Sequence, residues 1–314
     1  MIEVETIIVG GGPAGSAAAL ELKKNNREVI ILDKKNFPRV KLCAGWVTPK
    51  VFSLLDVSVN DYPYGILTFD KLHYDFGKFR IPIKTKQYSI RRYEFDNWLH
   101  ELSSVELYQH KVEKIEKSNG YFIIDEKFKS KYLIGAGGTH CPVYHTIFKK
   151  LNPRALENKI VALEEEFEYN WQDERCLLFF GDLGLRGYAW YVPKANGFLN
   201  IGLGGTFYGL KRKGKNIREH WENFVTKLRK ENLVVNHRFN EKGHSYYLRS
   251  NVKTIRHENA FIVGDAIGLA TIDMGEGIGP AIESGILAAR SILNGSEYSI
   301  GKISKFSLPS IIFP

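Results

Sequence analysis

Two glycine-rich segments, one near each end of the chain, carry residue types and spacings that suit the binding of phosphate and sugar groups. The first is Gly10-Gly11-Gly12-Pro13-Ala14-Gly15, and the second is Gly264-Asp265-Ala266. In the first segment Gly10 permits a tight turn, Gly12 lets a pyrophosphate approach the backbone, and Gly15 lets a helix pack on a sheet. We expect the two segments to form opposite sides of one dinucleotide site.

The elements around these segments fit that chemistry. The sequence predicts a strand over Val4–Val9, a helix from Ala14 to about Lys24 and a strand over Glu28–Leu32. The helix directs its free N–H groups and positive dipole end at the phosphates. Asp33 ends the second strand, where a carboxylate can accept ribose hydroxyls. With a further predicted strand over Ala260–Val263 before the second segment, the pattern favours FAD as the bound dinucleotide.

Composition limits the class of protein. A length of 314 residues allows two domains, or one domain with a large insertion. No segment approaches the roughly 18–20 apolar residues that span a bilayer, and the N-terminus enters a predicted strand directly. The cysteines Cys43, Cys141 and Cys176 form no C-x-x-C motif, which favours reduced cytoplasm over a disulfide scaffold or a zinc site. We therefore expect a cytoplasmic protein without a metal.

The net charge of +9 raises the question of an anionic partner. The lysines are dispersed, and the one dense run is Lys211-Arg212-Lys213-Gly214-Lys215, at the start of a predicted helix. Such a run is usually a solvated loop, and less often it touches an anionic membrane surface or a phosphorylated substrate. We expect no nucleic-acid partner, and peripheral contact with the inner face of the membrane stays open.

The order of patterns along the chain predicts an α/β protein in which a Rossmann-like FAD-binding domain is interrupted by an antiparallel β-rich substrate domain. The FAD-binding domain comprises residues 1–56, 88–158 and 251–314, and the β-rich domain comprises residues 57–87 and 159–250. This layout suits a catalytic cleft between the domains, with the flavin ring where they meet. Other expected elements are a strand over Val105–Ile115 and helices over Arg91–Ser104, Ile217–Lys230 and Ile278–Leu293.

Five segments resemble the flavoprotein superfamily of aromatic hydroxylases and, within it, the geranylgeranyl reductase branch. They are Gly10–Gly15 with Asp33, Lys41-Leu42-Cys43-Ala44-Gly45, Arg92-Tyr93-Glu94-Phe95-Asp96, Tyr188-Ala189-Trp190-Tyr191-Val192-Pro193, and Gly264-Asp265-Ala266-Ile267-Gly268 with Gly275–Ile278. The resemblance covers nearly the whole chain. It implies an FAD-binding domain of the glutathione-reductase and p-hydroxybenzoate-hydroxylase type.

The resemblance also implies roles for individual residues. Asp265 would bind the ribityl chain, and the helix that starts at Gly275–Ile278 would stabilise negative charge on the reduced ring. Cys43 would lie beside the flavin as a catalytic residue, although a buried free cysteine is more often only a small hydrophobe. Tyr188, Trp190 and Pro193 would contact substrate, although alternate aromatic residues fit a core strand equally well. The cofactor-binding residues implied are Gly10, Gly12, Pro13, Ala14, Gly15, Asp33, Lys34, Cys43, Ala44, Gly45, Arg92, Val112, Gly264, Asp265, Gly275, Gly277 and Ile278.

One segment departs from the hydroxylase pattern. In Gly135-Ala136-Gly137-Gly138-Thr139-His140-Cys141-Pro142-Val143-Tyr144, Gly137 replaces the acid of those enzymes and Tyr144 replaces their arginine. Both family residues are associated with FAD and NADPH handling, and the chain has no second dinucleotide fingerprint. We therefore expect another electron donor, either a ferredoxin-like protein or a reduced flavin or nicotinamide system.

Three functions stay open on the sequence. The first is a reductase that saturates carbon–carbon double bonds in an isoprenoid or similar lipid by hydride transfer from reduced flavin. The second is a monooxygenase or halogenase, because Tyr188-x-Trp190-x-x-Pro193 is also similar to the halogenases' Trp-x-Trp-x-Ile-Pro, although their lysine segment is not recognisable here. The third is a non-catalytic FAD electron-transfer protein, which Gly137 and the short segment after the last predicted helix favour.

Overall fold

The computed structural model describes residues 1–181, 184–211 and 216–312. The strands are β1 Ile2–Val9, β2 Val29–Asp33, β3 Trp46–Val47, β4 Leu67–Asp75, β5 Arg80–Ser89, β6 Leu107–Gln109, β7 Ile115–Ser118, β8 Tyr121–Ile124, β9 Phe128–Gly135, β10 Lys159–Glu168, β11 Cys176–Phe180, β12 Gly187–Lys194, β13 Phe198–Thr206, β14 Lys242–Tyr247, β15 Arg256–His257 and β16 Ala260–Ile262. The α-helices are α1 Pro13–Lys24, α2 Lys50–Leu55, α3 Arg92–Ser103, α4 Phe207–Lys211, α5 Ile217–Lys230, α6 Ile278–Asn294 and α7 Leu308–Ile312.

The first sheet has a parallel centre in the order β16-β9-β1-β2-β6. Its antiparallel additions are β15 on β16 and the pair β7–β8 on β9. Every residue of β2 and the second half of β1 are buried, which is the pattern of parallel strands covered on both faces. The sheet therefore has the Rossmann-like order that the sequence predicted.

The second sheet follows the order β14-β10-β13-β12-β11-β4-β5-β3. Its strands pair antiparallel except β11 and β4, which run parallel where two distant chain segments meet. One face packs on the amphipathic helix α5, whose bounds agree with the prediction, through a core that includes Tyr191, Trp221 and Phe224. The opposite face carries a separate cluster that includes Leu72, Leu178, Trp190 and Met274. This second face is the one that faces the candidate site.

Helices α1 and α6 cross in close contact. A Cβ on Gly285 of α6 would overlap the carbonyl oxygen of Ala14 in α1, so only glycine allows this approach. At the other side of α1, a Cβ on Gly15 would overlap the carbonyl oxygen of Gly10. The glycine that the sequence assigned to helix–sheet packing therefore does that work.

The strand predicted over Val105–Ile115 is wrong, because the structure has only the short β6 and β7 there. Between them the Asp125 carboxylate accepts the backbone N–H groups of Glu113 and Lys114 and contacts the His110 ring at 2.7 Å, which replaces strand pairing. In the lysine-rich run, Lys211 ends α4, and residues 212–215 lie outside the described residues.

Candidate active site

A cavity of about 490 Å³ lies between the two sheets and brings both glycine-rich segments together. Its walls come from the β1–α1 turn, the end of β2, the segment around Cys43, the face of the second sheet and the start of α6. The carboxyl ends of the strands in the first sheet and the aromatic face of the second sheet thus enclose one space. Such a space suits an elongated dinucleotide with a second molecule beside it.

The β1–α1 turn leaves room where a pyrophosphate would lie. A Cβ built on Gly12 meets only the Arg39 Nη2 atom, at 3.4 Å. Helix α1 begins at Pro13, and none of the described side chains caps its N-terminus. Free N–H groups of its first turn therefore point toward the cavity, as an anion site requires. This glycine cradle fits the phosphates of FAD.

Charged residues complete this end of the cavity. Asp33 accepts the backbone N–H of Gly11 at 2.8 Å, which fixes the carboxylate at the end of β2. The Arg39 guanidinium lies 3.4 Å from Asp96 and 4.0 Å from Asp33, so both acids hold it at the cavity wall. Further cationic side chains line the same wall: Lys34, Lys35, Lys41 and Arg92. Their charge complements a pyrophosphate.

The second glycine-rich segment closes the opposite side. The 3-10 turn Gly264–Ala266 places Asp265 in the cavity wall. Arg154 ties this turn to the first sheet, because its guanidinium donates to the carbonyl oxygens of Thr139 (2.5 Å) and Ala266 (2.6 Å). Its guanidinium carbon also lies 3.6 Å from the centre of the Tyr144 ring. Arg154 therefore joins the two halves of the site.

Helix α6 begins at the cavity after the N-cap residue Gly277, which has no side chain to cap the helix. Gly275, Glu276, Gly277 and Ile278 line the wall there. The Glu276 carboxylate caps the first turn instead, because it accepts the backbone N–H of Gly279 at 3.1 Å, and it also accepts the Ser307 hydroxyl at 3.3 Å. Burial raises the pKa of Glu276. The start of α6 thus directs its positive dipole end at the cavity, which favours a group that carries negative charge.

The segment around Cys43 is held by groups that come from distant strands. Lys194 of β12 is fully buried and donates to the carbonyl oxygens of Ala44 and Ile90, the latter at 2.9 Å. Asn200 donates its side-chain amide to the Cys43 carbonyl oxygen at 3.3 Å. The backbone N–H of Gly45 donates to the Cys43 Sγ atom at 3.4 Å. These contacts fix the thiol at the cavity wall.

The aromatic residues Tyr188 and Trp190 on the cavity-facing side of the second sheet pair with two glycines of β13. In register, Trp190 lies beside Gly202 and Tyr188 beside Gly204 of β13. A Cβ on Gly202 would overlap the Trp190 ring, so this glycine lets the indole lie across the neighbouring strand. Tyr188 donates its hydroxyl to the Met274 carbonyl oxygen at 2.5 Å, which links the sheet to the segment before α6.

Most residues that the sequence proposed for the site line this one cavity, and their roles remain predictions. Five do not line it: Gly15 packs α1 on β1, and Gly45 contacts Ile90 and Lys194. Gly264 lies between α1 and α6, Val112 belongs to the core of the first sheet, and Pro193 accepts the Ser89 hydroxyl. The lining residues from the sequence are Gly10, Gly12, Pro13, Ala14, Asp33, Lys34, Cys43, Ala44, Arg92, Tyr188, Trp190, Asp265, Gly275, Gly277 and Ile278.

Sequence reasoning missed several polar residues at the site, among them Arg154, Glu164, Lys194 and His244. Glu164 and Lys194 occur on strands at positions where the alternation predicts an inward side chain, so a charged residue there is a usable signal. Arg154 and His244 carry no comparable pattern, because their partners come from distant segments.

No cluster of three or more His, Cys, Asp or Glu side chains in residues 1–181, 184–211 and 216–312 is arranged to hold a metal ion. Within the same ranges, no helix combines the length and apolar character that crossing a membrane requires. Cys43, Cys141 and Cys176 are free thiols.

Asp265→Ala should weaken FAD binding by roughly one to two decades, because a charge-assisted hydrogen bond contributes about 1.5–3 kcal/mol. Titration of the apoprotein with FAD, followed by flavin fluorescence, measures the dissociation constant. Asp265→Asn keeps an acceptor oxygen without the charge and should lose less affinity. An unchanged dissociation constant in the alanine variant would mean that Asp265 does not bind the cofactor.

Comparison with known proteins extends beyond the site. Residues 8–71 match the family of NAD(P)-binding Rossmann-like domains. A Methanosarcina barkeri protein is 33% identical over 96% of this chain and 77% of its own length, and its name describes it only as uncharacterized. Digeranylgeranylglycerophospholipid reductase 3 of Methanosphaera stadtmanae is 26% identical over 97% of this chain and 82% of its own length.

A solved structure shares the fold. The geranylgeranyl bacteriochlorophyll reductase-like protein of Thermoplasma acidophilum superposes with a TM-score of 0.81 over 94% of this chain and 80% of its own, at 19% identity. The likeness confirms the expected Rossmann-like fold with its additional β-rich sheet. Together with the reductase relatives and the glycine cradle, it also confirms the resemblance and the cofactor that the sequence predicted. The chain belongs to the geranylgeranyl reductase family of FAD-dependent oxidoreductases.

Proposed function

We propose that the protein reduces carbon–carbon double bonds of an isoprenoid or related lipid. The observation that carries this proposal is the shared cavity, in which the dinucleotide cradle, Cys43 and the face with Tyr188 and Trp190 lie together. FAD, when bound and reduced, supplies a hydride to one carbon of the double bond. The names of the relatives, which are reductases of geranylgeranyl compounds, support the same substrate class.

The residues of the chain would bind FAD, orient it beside the substrate and enclose both molecules. Gly12 and the start of α1 hold phosphates, Asp33 and Asp265 accept sugar and ribityl hydroxyls, and the start of α6 favours negative charge on the reduced ring. Trp190 and Tyr188 offer an apolar wall to a prenyl chain. Ser307 and Ile311, near the end of the described chain, line the cavity.

We propose an electron donor other than freely bound NADPH. A Cβ on Gly137 would lie 3.0 Å from the Cys141 Cα, so the acid that hydroxylases carry at this position would fit only if the neighbouring segment moved by a few tenths of an ångström. The arginine position is taken by Tyr144, whose hydroxyl donates to the Asn152 carbonyl oxygen at 2.7 Å. A ferredoxin-like protein or a separate reduced flavin or nicotinamide system fits better. NADPH alone should reduce the bound flavin slowly.

Under anaerobic conditions, chemically reduced protein should be reoxidised by a geranylgeranyl lipid, and the product should be two hydrogens heavier. Cys43→Ala should retain FAD and slow this reoxidation by about tenfold, which is roughly 1.4 kcal/mol of barrier. Stopped-flow absorbance of the flavin and mass spectrometry of the lipid measure the two quantities.

Cys141→Ala provides the matched control, since Cys141 is a free thiol outside the cavity lining. It should reoxidise as fast as the wild type. If prenyl alkenes do not reoxidise the reduced flavin, and oxygen with an aromatic substrate gives a hydroxylated product, the result would support a monooxygenase. A redox-active flavin without turnover of any alkene or aromatic substrate would support an electron-transfer protein.

A further inference from the structure

Glu164 is a buried carboxyl group in the wall of the cavity that no interaction described so far explains. It lies in the middle of β10, on the same face as Trp190, and is 2% exposed. The backbone N–H of Cys43 lies near its carboxylate and favours the ionised form. Its Oε2 atom has no hydrogen-bond partner among the described residues. A buried polar atom without a partner at a cavity wall is available to a ligand.

No ion pair joins Glu164 to a cation within the described residues, although Lys41 and Lys194 lie close enough to favour its ionised form. Lys194 is nearby, but its ammonium group is already hydrogen-bonded to two backbone carbonyl oxygens. Glu166, two residues along the same face, is paired with Arg91 at 2.9 Å. Opposite Glu164 in register are Gly202 and Lys242. The other titratable groups that face it are Lys41, Cys43 and Tyr246.

Burial dominates the protonation of this carboxyl group. Desolvation raises the pKa of Glu164 to about 8, against the weaker effects of the Cys43 N–H and the two lysines. At neutral pH the group therefore carries a proton at the wall of the cavity.

We propose that Glu164 is the proton donor for the double bond that the cavity reduces, an inference that rests on the proposed function. One alkene carbon would form a C–H bond with the hydride that reduced FAD supplies. The electron pair of the π bond would take the Glu164 proton at the other carbon, so that the substrate gains two hydrogens and Glu164 is left as a carboxylate. Bulk solvent would return a proton to Glu164 through the cavity opening.

Other candidate acids at the wall are less suitable. Tyr188 already donates its hydroxyl to the Met274 carbonyl oxygen. Glu276 is occupied by the Gly279 N–H and the Ser307 hydroxyl. His244 has an unpartnered Nδ1 atom, but burial lowers its pKa to about 4, so the ring is neutral at pH 7 and a poor acid.

The test compares Glu164→Gln with the wild type and with Glu165→Gln. Glu165 is the matched control because it lies on the opposite face of β10, where it contacts His237 and the Asn240 backbone N–H. Glu164→Gln should retain FAD and reoxidise about a hundredfold more slowly with a geranylgeranyl lipid, within the range for loss of a general acid. Wild-type reoxidation should decline above about pH 8, and the Gln variant should lack that decline.

Two readouts do not depend on turnover. The infrared spectrum of the wild type should show the carbonyl stretch of a protonated carboxylic acid at pH 7, which disappears on titration toward pH 9 and is absent from Glu164→Gln. Between pH 4.5 and 8 the folded protein keeps a proton that the unfolded chain releases, so this group's stabilisation is lost as pH rises. The ratio of wild-type to Glu164→Gln unfolding constants should therefore rise about tenfold per pH unit in this window.

The outcomes separate the two proposals. A wild type that reduces prenyl alkenes beside an equally fast Glu164→Gln would overturn the role of Glu164 and leave the proposed function standing. Absence of the protonated carboxyl band in the wild type would also overturn it, whether or not the Gln variant folds. A wild type that reduces no prenyl alkene overturns the proposed function, and the role of Glu164 with it.

Discussion

Gly12→Val should yield a folded, colourless protein that binds FAD more than about a hundredfold more weakly, a loss of about 2.8 kcal/mol or more. Gly12 has extended backbone angles (φ −72°, ψ −178°) that valine also adopts. The new Cβ meets only the end of the Arg39 side chain, at 3.4 Å. The valine methyl groups therefore occupy the space of the pyrophosphate without disturbing α1.

Visible absorbance of the purified variant and fluorescence titration of its apoprotein measure the loss. Gly12→Ala adds a single methyl group and should give an intermediate affinity. The far-ultraviolet circular dichroism and the unfolding midpoint of the apoprotein should match those of the wild-type apoprotein. Wild-type FAD retention in Gly12→Val would show that the phosphates lie elsewhere.

Lys194→Met should lower the free energy of unfolding by about 2–5 kcal/mol, because the carbonyl oxygens of Ala44 and Ile90 each lose a charged donor at about 1–3 kcal/mol. Methionine has a similar length, so the loss of packing is small. Urea unfolding of the apoproteins gives the difference. An increase in stability would mean that the desolvation of the buried ammonium outweighs its two hydrogen bonds.

The pH dependence of this difference has a defined sign. Burial lowers the pKa of Lys194 to about 8, from an ordinary 10.5. Between these values the unfolded chain binds a proton that the folded protein does not, so the Lys194 contribution to stability rises with pH. The difference in the free energy of unfolding between wild type and Lys194→Met should therefore increase from pH 8 to pH 10. Lys242→Met, at an exposed position of β14, should show no such widening.

Local patterns carried much of the fold. The turn at Gly10–Gly15 and the amphipathic helix α5 depend on neighbours close in sequence, and both were predicted with nearly correct bounds. The strand expected over Val105–Ile115 failed because the Asp125 carboxylate, which lies across a hairpin, takes up its backbone N–H groups. The apolar pattern of a segment cannot show that a side chain outside the segment accepts its backbone N–H groups.

The candidate site was predicted only where a motif repeats a known local geometry. Cys43, Asp265 and Trp190 came from motifs, and they line the same cavity. Lys194 and Glu164 were missed because their importance arises where β10 and β12, on either side of β13, meet the Cys43 segment. Those contacts join residues that are more than a hundred positions apart. Alternation marks such residues as inward-facing, but it cannot supply their partners.

The close contact between α1 and α6 at Ala14 and Gly285 has a consequence for the synthesis of the protein on the ribosome. The β1–α1 turn emerges first, but its covering helix α6 and the Asp265 turn come from the last part of the described chain. At about 5–20 residues per second, translation separates the two halves by on the order of tens of seconds. During that interval the early helix exposes its alanine-rich face without a partner. Full assembly of the FAD site must therefore follow translation of the Asp265 turn and α6.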